Sequence, residues 1–512
     1  MSRQFLLPLI CAILCFVTLD NNKISAETPN IILILADDLG YGDVAALNPE
    51  SKIKTPNLDA LASNGMSFRD VHSPSSVCTP TRYGIITGRY CWRSELKSGV
   101  LGGYSKPLIE PERLTLASML KKSGYHSAVI GKWHLGLDWV QKTSATSADE
   151  KPAKENIDFA KPFGGSPTSL GFDYFFGISA SLDMPPFVYL ENDHVVTLPT
   201  TRKKWVREGA AAEDFEAVEV LPKLTDKAVE YIESRAKSNS PFFLYFPLNA
   251  PHAPILPTPQ WQGKSGINNY ADFVMQVDDV VGTIVKTVER LGISKNTLII
   301  FTSDNGCSPV ANIKELREKG HDPSAGFRGM KADIFDGGHR VPFIVRWDSK
   351  IKAGSFSDQL GCLVDFMGTF AEITGQKIPD TTAEDTVSLL PALLETATGS
   401  LRTEVVHHSI NGSFAIRQGD WKLCLCPDSG GWSEPKPKSD ESKKLPPIQL
   451  YNMKTDPAET VNVQEEQTET VQKLRSRLNN EIIPKTKTLS EPKSDNQPQD
   501  ILKKTDAAKA IN

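Results

Sequence analysis

The sequence predicts an α/β fold: a mixed, mostly parallel sheet flanked by helices, followed by a smaller C-terminal α+β module built on an antiparallel sheet. Three observations carry this. Short apolar runs alternate with longer amphipathic stretches, the pattern of buried parallel strands covered by helices. Residues Ala271–Leu291 place Phe273, Val277, Val280, Val281, Ile284 and Val288 at helical spacing between two such runs and stop at Gly292, which makes a βαβ unit. From about Leu401 the pattern turns to short strands and turns, with Phe414–Ile416, Gly419-Asp420, Trp421–Cys426 and Gln449–Tyr451.

Taken in order, the chain opens with Arg3, an apolar run Phe5–Leu19 and the small residues Ser25-Ala26. This reads as a secretory signal over residues 1–26, cut after Ala26, and is short for a membrane span. The mature chain is therefore expected to be exported, periplasmic or extracellular, without stable membrane insertion. Residues 27–375 form the main α/β domain, with strands at Ile31–Leu35, Ala128–Ile130, Phe242–Phe246, Leu298–Thr302 and Phe343–Arg346. The polar stretch Gln141–Ser169 is a surface excursion. Residues 376–400 form a weakly structured linker, 401–482 the antiparallel module, and 483–512 a disordered tail rich in Lys, Asp, Pro and Gln.

With 512 residues, 39% of them hydrophobic and 23% charged, the chain can bury a large core. A net charge of −5 is too weak to argue for nucleic acid or a membrane surface. Of eight cysteines, Cys11 and Cys15 leave with the signal, and no Cys-x-x-Cys pair or structural zinc pattern is present.

Function is concentrated at strand ends. Ile31–Leu35 runs into Asp37-Asp38, Ala128–Ile130 into Gly131-Lys132-Trp133-His134, Phe242–Phe246 into Asn249-Ala250-Pro251-His252, and Leu298–Thr302 into Ser303-Asp304-Asn305-Gly306. In a parallel sheet these carboxyl ends share one edge, where ligands bind. One carboxylate pair alone is more often a solvated loop; four such ends are not. Asp37, Asp38, Asp304 and Asn305 supply hard oxygen donors that suit Ca²⁺ or Mg²⁺, with a single Ca²⁺ favoured for an exported protein.

One further segment, Cys78-Thr79-Pro80-Thr81-Arg82, precedes Ile86-Thr87-Gly88-Arg89. Proline suits a helix's first turn. Cys78 is thus expected at a helix N-terminus with Arg82 one turn on, beside free N–H groups and the positive end of the dipole. The pattern resembles the signature of the type I, formylglycine-dependent sulfatases; Thr81 stands where the commonest form has Ser or Ala. The resemblance extends through Gly124-Tyr125, Gly131-Lys132-Trp133-His134-Leu135-Gly136, Phe327-Arg328-Gly329-Met330-Lys331, Gly337-Gly338-His339-Arg340-Val341-Pro342, Leu450-Tyr451 and Asp456-Pro457, and so covers most of the mature chain. It is nearest to arylsulfatase A-like and N-acetylhexosamine-sulfate sulfatases, including those of bacteria that degrade sulfated polysaccharides. It implies an alkaline-phosphatase-like fold. Asp304-Asn305 matches the one-metal sulfatase form, where two-zinc relatives commonly carry Asp-His.

What the resemblance implies is specific. A maturation enzyme oxidises Cys78 to formylglycine, whose hydrate attacks sulfur through a metal-held hydroxyl and then expels sulfate by restoring the aldehyde. Arg82 steadies the hydrate and the metal-site carboxylates. Lys132 and Lys331 contact sulfate oxygens. His134 takes the hydrate's proton, and His252 with Lys331 protonates the departing oxygen. Ser181 aligns with a sulfate-contacting serine. The substrate implied is a sulfated small molecule or glycan. A phosphonate or phosphodiester hydrolase on the same site and an inactive sulfoglycan-binding protein are the alternatives. His72, His126 and His339 read as structural, while His407 and His408 open the small module.

Overall fold

The computed structural model describes residues 28–142, 156–379 and 381–485. The signal segment 1–26 and nearly all of the expected tail lie outside them, as does the middle of the 141–169 excursion.

Ten strands form the main sheet. In chain order they are β1 Asn30–Ala36, β2 Met66–Phe68, β3 His126–Lys132, β4 Tyr174–Ile178, β5 Leu190–Glu191, β6 His194–Val195, β7 Phe242–Pro247, β8 Thr297–Ser303, β9 Phe343–Arg346 and β10 Ser355–Ser357. Across the sheet they run β10-β2-β9-β8-β1-β7-β3-β4-β5-β6. The central block β8-β1-β7-β3-β4 is parallel throughout. Strand β9, expected as another buried strand, pairs antiparallel with β8 and β2, which makes the sheet mixed.

The central strands are apolar because both of their faces are covered. Ile31 to Leu35 and Phe242 to Phe246 have no exposed surface, and each such side chain contributes roughly 1.5–3 kcal/mol on burial. Two groups of helices cover them. Pro56–Ser63 (α1), Val220–Arg235 (α4) and Asn269–Arg290 (α5) pack together, while Cys78–Thr87 (α2), Leu116–Lys121 (α3) and Phe366–Thr374 (α6) form the second group. Helix α5 links β7 to β8, and β1 lies between those two strands.

Strands Glu404–His408, Phe414–Gln418, Trp421–Cys424 and Gln449–Asn452 (β11–β14) form the antiparallel C-terminal sheet in sequential order. It packs closely on the main domain: Ser75 Oγ and Ser76 N both donate to the His408 carbonyl. The 376–400 stretch is better anchored than a loose link, because Arg93 grips Asp385 with Nε at 2.8 Å and Arg89 Nε grips Glu384 at 2.7 Å. All six described cysteines are free and buried.

Candidate active site

The geometry begins at α2. Cys78 is its first residue, following an extended Val77, and Pro80 falls in the first turn, where no N–H is needed. No side chain caps this helix start. Thr81 Oγ1 donates to the Ser75 carbonyl at 3.0 Å, fixing the turn before the helix, and a serine hydroxyl at this position could donate the same bond. Arg82 lies one turn on and is fully buried.

From there a charge network spans the carboxyl edge of the parallel block. Arg82 donates from Nε and Nη2 to Asp304 Oδ2 at 3.1 and 2.8 Å, and from Nη1 to the Lys132 carbonyl at 2.9 Å. Lys132 Nζ meets Asp37 Oδ2 at 2.6 Å. Lys331 Nζ straddles Asp38, at 2.7 Å from Oδ2 and 2.6 Å from Oδ1. Asn305 Nδ2 donates to Asp38 Oδ1 at 2.8 Å, and the Asp38 N–H donates to Asp304 Oδ1 at 3.2 Å. Asp38 itself sits at φ 66°, a left-handed conformation that a non-glycine residue adopts at a cost.

Two histidines border this network. His134, also left-handed at φ 59°, meets the Leu101 carbonyl through Nε2 at 2.7 Å. A carbonyl only accepts, so Nε2 carries the proton and Nδ1 presents a bare lone pair; Nδ1 is buried and without a partner among the described residues. Burial, then Lys132 and Arg82, hold its pKa well below the usual range, so the ring is neutral. His252 Nε2 lies 3.6 Å from Asp38 Oδ2, while its Nδ1 meets the Ala253 carbonyl at 2.7 Å. Burial and Lys331 lower its pKa against the pull of Asp38.

Burial pushes the Cys78 thiol up despite Lys132 and Lys331, so the cysteine as encoded is a poor thiolate nucleophile. Burial would raise the Asp37 carboxyl too, but Lys132, His252 and Arg82 together hold it well below the usual carboxylate range. Asp304 is pushed up to about 7 by burial and by the charge of Asp37, against Arg82 and Lys132.

Ser181 follows β4, the strand next to Lys132. It is buried with its Oγ unpartnered among the described residues, and no direct bond joins it to the charge network. Sequence reasoning assigned no role to Ser179 or Asn249, both buried at this edge with side-chain atoms unpartnered among the described residues. Their only signal is position after a strand. It also missed Leu101, whose contribution is a backbone carbonyl. Thr79 Oγ1 holds that loop by accepting from the Leu101 N–H at 3.2 Å.

The residues fit a hard cation. Asp37 Oδ1 and Asn305 Oδ1 are buried oxygens that accept no hydrogen bond among the described residues, the Arg82 Nη2 being 3.6 Å from the former. Oxygen acceptors left bare beside two further carboxylates suit an ion of calcium or magnesium type. Asp37, Asp38 and His252 also present ligand atoms within 4.8 Å of one another.

The family profile described as Sulfatase matches residues 29–376, a span that contains every residue of this network. The chain belongs to the sulfatase family. It is a sulfuric ester hydrolase by that membership. The sulfatase is 32% identical to an N-acetylgalactosamine-6-O-sulfatase of Bacteroides thetaiotaomicron over 90% of this chain and 94% of that protein. It is 30% identical to human arylsulfatase A, over 86% and 84% of the two chains. A solved structure described with the metabolism of multiple glycosaminoglycans by Bacteroides thetaiotaomicron matches with a TM-score of 0.77 at 31% identity, covering 88% of this chain and 99% of that one. A phosphonate monoester hydrolase of Agrobacterium radiobacter shares the fold, with a TM-score of 0.55 at 18% identity over 88% and 96%.

A second close group in this sulfatase, His72, His339 and His407, has a different character. His72 and His339 share a hydrogen bond between their Nδ1 atoms at 3.0 Å, and His407 stacks on His339 with centroids 3.6 Å apart. Asp70 meets His72 Nε2 at 2.9 Å, and Lys422 Nζ lies 3.1 Å from His339 Nε2. A lysine ammonium already sits where a dication would have to approach, so the group is a hydrogen-bonded core cluster.

Proposed function

We propose that this sulfatase removes sulfate from a sulfated amino sugar of a glycan, with 6-sulfated N-acetylgalactosamine as the first substrate to test. Relatives named for that activity, bacterial and mammalian, support the reading at 32% and 31% identity over 90% and 80% of the chain. The single observation that carries it is the buried edge where three cations, two neutral histidines and bare oxygen acceptors converge on the start of α2.

In this proposal a maturation enzyme oxidises Cys78 to formylglycine, whose hydrate would supply the nucleophilic hydroxyl. Asp37, Asp38, Asp304 and Asn305, with the modified Cys78, would hold one calcium ion, which would supply positive charge that lowers the cost of an attacking alkoxide. Lys132 and Lys331 bind the sulfate oxygens, where fixed charge in a dry site stabilises the transition state. Arg82 keeps Asp304 and the α2 start in register. His134 Nδ1, the bare lone pair, would accept the proton of the second hydrate hydroxyl as the aldehyde re-forms and the C–O bond to sulfate breaks. His252 carries its proton relay at Nε2, since Nδ1 is committed to the Ala253 carbonyl; bound sulfate adds negative charge that favours its protonated form, which then protonates the leaving oxygen. Ser181 adds a hydroxyl to the sulfate cradle.

The proposal includes export. The apolar run Phe5–Leu19 before Ser25-Ala26 supports it, and no described helix is long and apolar enough to cross a membrane.

Mass spectrometry of the peptide containing residue 78, from the native host, is expected to show the mass of formylglycine; an unmodified cysteine in active enzyme would remove the mechanism. Chelation should abolish desulfation, and calcium should restore it. A faster rate on an aryl phosphodiester than on an aryl sulfate would overturn the choice of substrate class.

A further inference from the structure

We infer that Asn249 is a substrate-binding residue, whose side-chain amide donates to a sulfate oxygen while its carbonyl accepts from a nearby sugar hydroxyl, the one on C4 in a 6-sulfated N-acetylgalactosamine. The inference rests on the sulfated amino-sugar reading above and deepens it.

Placement comes first. The backbone around Asn249 is pinned to the end of β1, because the Leu248 N–H donates to the Leu35 carbonyl at 2.8 Å and the Ala250 carbonyl accepts from the Asp37 N–H at 3.0 Å. On its other side β7 pairs in parallel with β3, the strand that ends in Lys132 and leads to His134. A Cβ at Gly131 would lie 1.9 Å from the Pro247 carbonyl oxygen, so the missing side chain lets the two strand ends close up. Asn249 therefore stands at the carboxyl edge, between Asp37 and the Lys132–His134 segment and three residues before His252.

Chemistry comes second. Asn249 is 3% exposed, yet neither its Oδ1 nor its Nδ2 has a partner among the described residues. Natural folds leave few buried polar atoms unpaired, and a doubly unpaired carboxamide is unfavourable unless something else pairs with it. Among the other bare atoms of this edge, the Ser179 and Ser181 hydroxyls donate and accept through one oxygen, so neither reaches two separate groups as a carboxamide does. His134 Nδ1 only accepts, and Asp37 Oδ1 and Asn305 Oδ1 belong to the cation set. A carboxamide both donates and accepts. Sulfate oxygens only accept, so they satisfy half of it. The other half calls for a donor fixed beside the sulfate, which a sugar hydroxyl provides and a simple aryl sulfate lacks.

The test compares wild type with Asn249→Leu, close in volume but without polar atoms, and Asn249→Asp, which keeps an acceptor and adds repulsion for sulfate. For Asn249→Leu, kcat/KM on 6-sulfated N-acetylgalactosamine is expected to fall about 10- to 100-fold, mainly through KM, with a smaller loss on an aryl sulfate. Inhibition by inorganic sulfate should weaken in both variants. Since two unpaired atoms are removed, the melting temperature of Asn249→Leu should equal or exceed that of wild type. Equal losses on the two substrates together with a lower melting temperature would make Asn249 a structural residue and overturn the inference. So would unchanged sulfate inhibition. If wild type hydrolyses the aryl sulfate but no sulfated amino sugar, the substrate reading fails by itself, and the sulfate inhibition constants still judge Asn249.

Discussion

Replacing Arg82 with methionine probes how the charged edge is held together. The guanidinium is fully buried and makes two bonds to Asp304, at 3.1 and 2.8 Å, and one to the Lys132 carbonyl at 2.9 Å. Methionine is comparable in length, so it limits the cavity left behind; at pH 8.5, above the value of about 7 that Asp304 has with Arg82 present, it strands the Asp304 carboxylate beside Asp37 with one cation fewer. Removing one partner of a buried ion pair costs about 3–5 kcal/mol, because the surviving charge stays in a low-dielectric site. The bare Lys132 carbonyl adds to that loss. The variant is expected to lose at least about 4 kcal/mol, read from denaturant unfolding by tryptophan fluorescence with chelator present, so that metal binding does not enter. Asp304→Asn in the same background removes the stranded charge. The double variant should then be more stable than the sum of the single losses predicts by over about 1 kcal/mol. Losses that add to within about 0.5 kcal/mol would mean the two side chains are independent, and would refute the reasoning.

Two other predictions concern the frame around the site. His408 is fully buried, both ring nitrogens lack partners among the described residues, and burial lowers its pKa to about 4. An unfolded histidine titrates near 6.5, so this contribution to stability is complete above about pH 6.5 and is lost as pH falls through about 4; the gap is worth about 3 kcal/mol. His408→Leu should lose less stability than wild type between pH 7 and 4.5, and equal drops in unfolding midpoint would sink the argument. Gly131 sits at φ 141° with the Pro247 carbonyl oxygen in the way of any Cβ. Gly131→Ala should therefore fail to accumulate as folded protein, and a variant that melts like wild type would show the β3–β7 spacing to be wrong.

The sequence reveals the part of the fold that burial dictates. Strands β1, β3, β7 and β8 read as apolar runs because both of their faces are covered, and their ends read as chemistry because polar residues follow at once. Strand β4 was less visible. Its Tyr174–Ile178 core is short and follows a long polar stretch, so nothing local separates it from a loop, yet it positions Ser179 and Ser181. The edge strand Ser355–Ser357 and its neighbour Met66–Phe68 have three residues each and exist through their pairing with each other and, for Met66–Phe68, with β9, a tertiary effect. Asp37, Asp38, Arg82, Lys132, Asp304, Asn305 and Lys331 come together in one network, with His252 beside it at 3.6 Å from Asp38. What orients His134 was hidden, because its partner is a main-chain carbonyl 33 positions earlier. Asn249 went unread because an asparagine after a strand is more often a turn, and only the missing partners distinguish it.

The charge count at this edge couples the metal to the substrate. Asp37, Asp38 and Asp304 face Arg82, Lys132 and Lys331, so above about pH 7, where Asp304 is ionised, the formal charges of the buried network cancel before anything binds. A dication alone leaves the site doubly positive next to two lysines that have no free carboxylate. A sulfate ester alone meets lysines already committed to Asp37 and Asp38. Bound together, the dication takes the carboxylates, the lysines turn to the sulfate oxygens, and the anion offsets part of the added charge. Each ligand should therefore strengthen the other, and by linkage the factor must be the same in both directions. Calorimetric titration of calcium into metal-free protein is expected to give an affinity about 10-fold higher with saturating inorganic sulfate present than without it, after allowance for calcium–sulfate pairing in solution. Equal affinities would mean that the lysines do not exchange partners, and the account of Lys132 and Lys331 as sulfate ligands released by the metal would have to be abandoned.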